Sequence, residues 1–442
     1  MQLEVLGRGI RTAADQGEEG EQEPFHHPSL TQPGTTRRAP QPRLCAGAGC
    51  GRAPTLACLA PAMTDDPPSP ALLPAGLAAQ RPPEAAREAA LVEALVEVFA
   101  RHGYERVKPP LLEFEDSLFT GSGAALADQT FRLMDPVSQR MMGLRADTTP
   151  QVARIAATRL SRTPRPLRLS YAGQVLRVRG TQLAPERQLP QAGIELIGPD
   201  LPEADAEVAA VAAEALAGIG IPDTTLDITL PRLSPALLDA AGVEGDARRR
   251  LARALDRKDA AAVAALVRGA GAAAHVLPML LAAAGPAEGA LAALEDAELP
   301  PAARAIADNA AAVIAALRLR APGLRITLDP VEFRGFRYHT GVAFTIFGPG
   351  VTGELARGGR YVSGEEPATG MTLYPDALLR AVAPAAPRAR VFVPLGADAE
   401  ASRALRARGL ATVTQLSRAD TPESLRCTHI LDAAGALRAI KE

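Results

Sequence analysis

The order in which extended and helical stretches follow one another constrains this chain more than any other feature. Short apolar or alternating runs bounded by turn residues fall into two blocks. The first holds DQTFRLMDP, RMMGLRAD, PLRLSYAGQVLRVR, LPQAGIELIG and TTLDITL; the second holds RITLDP, YHTGVAFTIFG, GELARGGRY and ATGMTLY. Between them, from about Pro231 to Leu319, nearly every residue is Ala, Leu or charged with sparse Gly and Pro, which predicts an insertion of several short helices. Strands and helices are thus segregated rather than strictly alternating. That pattern favours an α+β fold, an antiparallel sheet flanked by helices, over a doubly wound parallel sheet.

Local patterns fill in this plan. From Pro82 to His102 the apolar residues recur at helical spacing, with Leu91, Leu95, Val98 and Phe99 on one side and Gly103 placed to end the helix. Pro136, Val137 and Ser138 join the first two extended runs as a hairpin, and the helix TTPQVARIAATRLS follows directly. EADAEVAAVAAEALAGIG predicts a helix that Gly218 and Gly220 close, and PDALLRAV a short one. Pro384 to Pro387 mark a linker after a main domain spanning 63–383. Residues 388–442 then read strand, helix, strand, helix, strand (RVFVPLG, AEASRALRARG, ATVTQL, PESLR, THILDA), a small α/β unit.

Residues 1–62 mix Gly, Pro, Gln, Arg and Thr without periodicity and are expected to be disordered. Met63 opens MTDDPPSPALLPAGL, which reads like a natural N-terminus behind an added segment, and the acidic EEGEQE argues against a targeting peptide. Three of the four cysteines, Cys45, Cys50 and Cys58, lie in that stretch at C-x4-C-x7-C, a spacing that fits no common zinc site. Unpaired, reduced thiols are expected there and at Cys427. No apolar run approaches the roughly 18 to 20 residues needed to cross a bilayer, so a cytoplasmic protein without a membrane partner is expected. A net charge of −2 gives no overall positive field for holding a long nucleic acid. Aromatic residues are only 3% of the chain and Trp is absent, so the core must be built from Ala, Leu and Val through many small contacts.

The sequence lacks G-x-x-x-x-G-K-[ST] and a strand-bounded G-x-G-x-x-G, and its six His are scattered without H-E-x-x-H. Neither a cofactor nor a catalytic metal is expected. Polar clusters nevertheless punctuate the strand-like runs: GLRADTTPQ (143–151), YAGQVLRVRG (171–180), RQLPQAGIELIG (187–198), EFRGFRYHTG (332–341) and ELARGGRY (354–361). Taken singly, Arg145 and Arg177 read as surface strand residues, Gln191 and Glu195 as a solvated face, and Tyr338 as a half-buried aromatic. Together they suit a free amino acid, which offers an ammonium, a carboxylate and, for histidine, two ring nitrogens. Asp147 with Thr149 can meet the ammonium, Arg334 the carboxylate, and Glu195 with Tyr338, His339 or Tyr361 the imidazole. Arg177 and Gln191 complete the candidate set.

In order and wording these clusters resemble class II aminoacyl-tRNA synthetases, most closely histidyl-tRNA synthetase, over about residues 70 to 380. GLRADTT resembles that family's L-R-P-E-G-T segment, YAGQVLR its motif 2 strand, RQLPQAGIELIG its R-Q-F-H-Q-x-G-x-E-x-x-G, RGFRYHTG its R-G-L-D-Y-Y, and RGGRY its G-G-R-Y-D. Some pocket positions depart from it: Asp147 replaces Glu, His339 the second Tyr, and Arg337 stands where an Asp is usual. The nucleotide contacts depart further. Motif 2 is F-R-x-E in the family, whereas LRVRG keeps Arg177 and puts Arg179 at the Glu position. Motif 3 is G-x-x-x-G-L-E-R, and the matching stretch from Gly370 to Leu378 has Asp376 for Glu and Ala377 for the adenine-stacking Arg. Two lost charge-assisted contacts forfeit about 3 to 6 kcal/mol, on the order of 10²- to 10⁴-fold in rate. Adenylate formation is therefore expected to be close to absent.

GLRADTTPQVARI and YHTGVAF resemble more closely the regulatory subunits of ATP phosphoribosyltransferase, a synthetase-paralogue family. That resemblance implies a non-catalytic chain with L-histidine as its effector. It also implies a hetero-oligomer with the short-form catalytic subunit, self-association as a dimer within it, activation of that subunit, and feedback inhibition at the first step of histidine biosynthesis. The alternative is a working histidine–tRNA ligase. The C-terminal unit looks like an anticodon-binding domain cut too short for its five-stranded platform, so tRNA is not an expected partner.

Overall fold

The structure, a computed structural model, describes residues 72–180, 185–332, 338–383 and 388–440. The N-terminal stretch 1–62, the linker Pro384–Pro387 and the candidate carboxylate ligand Arg334 lie outside the described residues.

Helix α1 (Glu84–Arg101) forms where the apolar spacing predicts it, burying Leu91, Leu95 and Phe99 with Val98 partly packed beside them. Gly103, at φ +80°, supplies the left-handed turn that ends it. Truncating the fully buried Phe99 to Ala would cost about 3–5 kcal/mol. After β1 (Glu105–Arg106), β2 (Leu112–Phe114) and the single turn α2 (Glu115–Leu118) comes the expected hairpin, β3 (Arg132–Met134) and β4 (Met141–Leu144). Asp135 shapes its turn by accepting the backbone N–H groups of Val137 and Ser138.

Helix α3 (Thr149–Thr158) carries Pro150 in its first turn, where the missing N–H does no harm. Strands β5 (Leu167–Leu176) and β6 (Gln188–Ile197), helix α4 (Pro202–Gly218) and β7 (Thr225–Thr229) follow. The Ala-rich stretch after β7 folds as α5 (Leu233–Ala240), α6 (Gly245–Asp256), α7 (Ala260–Val267), α8 (Leu277–Ala282), the two-residue β8 (Gly285–Pro286), α9 (Ala287–Asp296) and α10 (Pro301–Arg320). The last of these is not short. It runs 20 residues without an internal Gly or Pro break and packs against α4. Strands β9 (Arg325–Asp329), β10 (Ala343–Phe347), β11 (Ala356–Ser363) and β12 (Glu366–Leu373) then return to the sheet, and α11 (Pro375–Ala381) ends the unit.

Nine described strands form one sheet in the order β1-β5-β6-β12-β11-β10-β7-β9-β8. It is mixed rather than wholly antiparallel. The pairs β1–β5 and β7–β9 are parallel, and a parallel pair needs a long crossover, which the helical insertion provides between β7 and β9. Side chains alternate across the sheet, so each strand serves two faces. On β6, Ala192, Ile194 and Leu196 join α1 and α4 in the main core, whereas Gln191, Gly193 and Glu195 take the opposite parity. Helix α4 enters the main core with Ala206, Ala209, Ala212 and Ala215, whose small side chains let neighbouring elements approach closely and replace the missing large rings.

The C-terminal residues form β13 (Arg390–Val393), α12 (Ala399–Ala407), β14 (Ala411–Thr414), β15 (His429–Leu431) and β16 (Leu437–Ala439), paired β14-β13-β15-β16 around Val391, Val393, Leu405 and Leu431. PESLR, expected to be helical, makes only turns, because Arg426 at φ +52° reverses the chain before a second helical turn can form. The sequence pattern had no place for β16, which pairs antiparallel with β15. No described helix is long and apolar enough to cross a membrane.

Candidate ligand-binding site

The sheet face turned away from the main core carries the polar clusters. Four strands bring them together in two register rows: Arg357 on β11, Thr372 on β12, Gly193 on β6 and Tyr171 on β5, and beside it Gly359, Gly370, Glu195 and Leu169. Glycines keep this floor low. A Cβ on Gly370 would stand 1.8 Å from Glu195 Oε2, and one on Gly193 would stand 2.5 Å from the Tyr171 hydroxyl oxygen.

Glu195 and Gln191 are 1% exposed, not the solvated face that the sequence suggested for them. Thr149 Oγ1–H donates to Glu195 Oε1 at 2.8 Å, and the Tyr361 hydroxyl donates to Oε2 at 2.8 Å. Burial pushes the Glu195 carboxyl up to about 8; the Tyr361 and Thr149 hydrogen bonds pull it back in part, and nearby Asp147 pushes it further up. Burial likewise raises the hydroxyls of Tyr171 and Tyr361, so both stay protonated.

Asp147 sits in the loop that opens α3. Its Oδ1 accepts the Thr149 N–H at 2.9 Å and its Oδ2 accepts Gln191 Nε2–H at 2.9 Å. Gln191 Oε1 in turn accepts from the Thr148 N–H at 3.1 Å and the Thr148 hydroxyl at 3.0 Å. Gln191 therefore stands behind Asp147 and aims it, instead of lining the cavity. Arg145, read from sequence as a surface residue, is buried, donating to the carbonyls of Gln174 at 2.7 Å and Pro109 at 3.1 Å. It ties β5 to the segment at Pro109 from the same face of the sheet as the site.

A cavity of about 280 Å³ is bordered by Asp147, Thr149, Arg177, Tyr338, Arg357 and Tyr374 among others. It adjoins a cleft of about 20 Å³ at Glu195, Tyr361 and His339, and Thr149, Tyr338, Arg357 and Thr372 border both. Tyr338 and His339 lie ring against ring at 4.0 Å between centroids, tilted by 34°. Of the residues expected from sequence, Asp147, Thr149, Arg177, Glu195, Tyr338, His339 and Tyr361 surround these two spaces, Gln191 buttresses them, and Arg334 lies outside the described residues. The Asp147 carboxyl and the Arg177 and Arg357 guanidinium groups thus border one small polar cavity, with the Glu195 carboxyl in the adjoining cleft, the chemistry a zwitterion requires. Among the described residues no three His, Cys, Asp or Glu side chains group as a metal site.

Sequence reasoning missed Arg357, Thr372, Tyr374 and Tyr171. Arg357 had a signal: on a strand it shares a face with Tyr361, four residues on. Arg360, of opposite parity, turns to the far side, where it holds Asp205 at 2.9 Å, Asp200 at 3.1 Å and the carbonyls of Pro199 and Leu201. At the nucleotide end Arg177 still borders the cavity, but the other two contacts are gone. Arg179 is exposed beyond β5, Asp376 is engaged with Arg380 at 3.5 Å, and Ala377 is 3% exposed within the main core.

The family model described as histidyl-tRNA synthetase matches residues 76–378. An ATP phosphoribosyltransferase regulatory subunit of Paramagnetospirillum magneticum is 56% identical over 354 residues, covering 80% of this chain and 93% of its own. Another of that name, from Rhodospirillum centenum, is 53% identical over 388 residues, covering 86% of this chain and all of its own. Among solved structures, an ATP phosphoribosyltransferase regulatory subunit/histidyl-tRNA synthetase from Bacillus halodurans superposes with a TM-score of 0.71 at 25% identity, covering 81% of this chain and 97% of that one. Class II synthetase architecture, polar clusters brought together on one sheet face and an arginine position given over to the core agree with these likenesses: the chain belongs to the ATP phosphoribosyltransferase regulatory subunits of histidine biosynthesis, non-catalytic paralogues of histidyl-tRNA synthetase.

Proposed function

We propose that this chain senses L-histidine for a cytoplasmic assembly with a short-form ATP phosphoribosyltransferase catalytic subunit, which it activates and places under histidine control. Self-association as a dimer within the hetero-oligomer belongs to the same reading. The observation that carries it is the pairing of an ordered acidic pocket with a missing nucleotide grip: Glu195 is held by Thr149 and Tyr361, whereas Ala377 is buried where a synthetase arginine would reach ATP. The imidazole would take Glu195, with Tyr338, His339 and Tyr361 around it; the ammonium would take Asp147 and Thr149, and the carboxylate a guanidinium, for which the sequence resemblance offers Arg334. Sensing needs histidine to favour one of two states of the assembly, a coupling of typically 1–3 kcal/mol.

The test is to mix the protein with a short-form catalytic subunit and follow phosphoribosyl-ATP formation with and without histidine. Activity that rises only in the mixture and falls with histidine supports the reading; a mixture that behaves like the catalytic subunit alone removes it. Arg334→Ala should weaken inhibition by histidine while assembly, followed by native mass, stays intact. Undiminished inhibition in that variant would take Arg334 out of the site.

A further inference from the structure

One residue bordering the cavity has no role so far. Arg357 stands at the end of the register row Arg357–Thr372–Gly193–Tyr171, on the strand face it shares with Tyr361. It borders both the larger cavity, with Asp147, and the cleft that holds Glu195. Glu354, three residues earlier, orients its guanidinium: one carboxylate oxygen takes Nε at 3.0 Å and Nη2 at 2.7 Å. The arginine is thus aimed before any ligand arrives, and its side chain keeps 36% of its surface accessible.

The geometry of an amino acid then limits what Arg357 can meet. With the ring at Glu195 and the ammonium at Asp147, the α-carbon lies where the two spaces join, and the carboxylate must sit beside it. Two described cations border the larger cavity, Arg177 and Arg357. Arg177 directs Nε toward the Ala146 carbonyl at 3.5 Å and does not border the Glu195 cleft, whereas Arg357 spans the junction.

We infer that Arg357, from the strand floor, is a second guanidinium for the α-carboxylate of the effector, beside the Arg334 proposed above, and makes the site specific for the free amino acid over imidazole compounds that lack that charge. This rests on the histidine-sensing reading of the cavity. An amine such as histamine satisfies Glu195 and Asp147 equally well, so discrimination against it has to come from the carboxylate contact. A charge-assisted contact of this kind supports a preference of about 10- to 100-fold.

Calorimetric titration of the full chain with L-histidine and with histamine tests it, using wild type, Arg357→Gln and Arg357→Lys. Wild type should prefer histidine by about 10- to 100-fold. Arg357→Gln should remove most of that preference while histamine affinity stays within about twofold, and Arg357→Lys, which keeps the charge but not the fork, should keep more of it than Arg357→Gln does. The inference is overturned if Arg357→Gln retains the full preference, or if it loses histamine and histidine alike, since the arginine would then only shape the pocket. A wild-type chain that binds no histidine removes this inference and the sensing reading together, which separates the failure of one from the failure of both.

Discussion

At its ring-facing end the cavity is built by four strands in register, with both Glu195 oxygens accepting a hydrogen bond and glycines clearing the space around them. At its nucleotide-facing end two of the side chains that would grip ATP are absent although Arg177 remains, and the position of the motif 3 arginine is an alanine packed with the main core. The two ends hang on different parts of the fold. The ring-facing residues belong to the interior of the sheet, where a change of side chain disturbs packing as well as binding. The nucleotide contacts depend on the loop after β5 and the first turns of α11, which can change without touching that floor. On the proposed reading, binding an amino acid and activating it are therefore separable on this scaffold.

The contrast can be broken most directly at the nucleotide end. Exchange of pyrophosphate into ATP in the presence of histidine should run about 10²- to 10⁴-fold below a working synthetase, from two missing contacts of roughly 1.5–3 kcal/mol each. A rate within about tenfold of such an enzyme would erase the distinction. Next in size is Ala377→Arg. If this position belongs to the core, the guanidinium must be buried or the turn displaced, at about 3 kcal/mol or more, read from the urea unfolding midpoint. A neutral substitution would mean that the arginine still has an open path to the cavity and that a single side chain separates the two functions.

The third prediction sharpens the ring-facing end. Glu195 titrates near 4.5 when unfolded and is raised to about 8 when folded, so between those values the folded chain holds a proton that the unfolded chain has released. Its contribution to stability is complete below pH 4.5 and is lost as pH rises through 8. Relative to Glu195→Gln, which cannot titrate, wild type should lose on the order of a few kcal/mol of unfolding free energy across that window. Melting temperatures of the two proteins followed from pH 5 to pH 8.5 check this; parallel curves would show that Glu195 is ordinary in its acidity.

Much of the architecture was legible because periodicity is a local property. The spacing of Leu91, Leu95 and Phe99 and the polar words around Asp147, Glu195 and Tyr361 are visible without knowing any partner. Pairing across long distances is not local. Nothing in TTLDITL or RITLDP announces that they lie side by side and parallel across the whole helical insertion, and nothing in Gly285–Pro286 announces a strand. The same limit explains the site. Glu195 and Gln191 read as solvated until Thr148, Thr149 and Tyr361 are brought onto them, and Gln191 becomes a support for Asp147 only once β6 and the start of α3 are neighbours. Arg357 lies just before the GGRY word, and strand parity puts it on one face with Tyr361.

Strand β11 also has a mechanical side. Arg360 rivets its back to the start of α4 through two carboxylates and two carbonyls, while the adjacent Tyr361 reaches Glu195 from its front. Sliding the strand by one position would turn the rivet into the cavity and the tyrosine into the core, an exchange that neither face tolerates. The floor of the cavity is thus a fixed bench, and any motion that an occupant sets off has to run through the walls: the start of α3 that bears Asp147, and the turn at Tyr338 and His339.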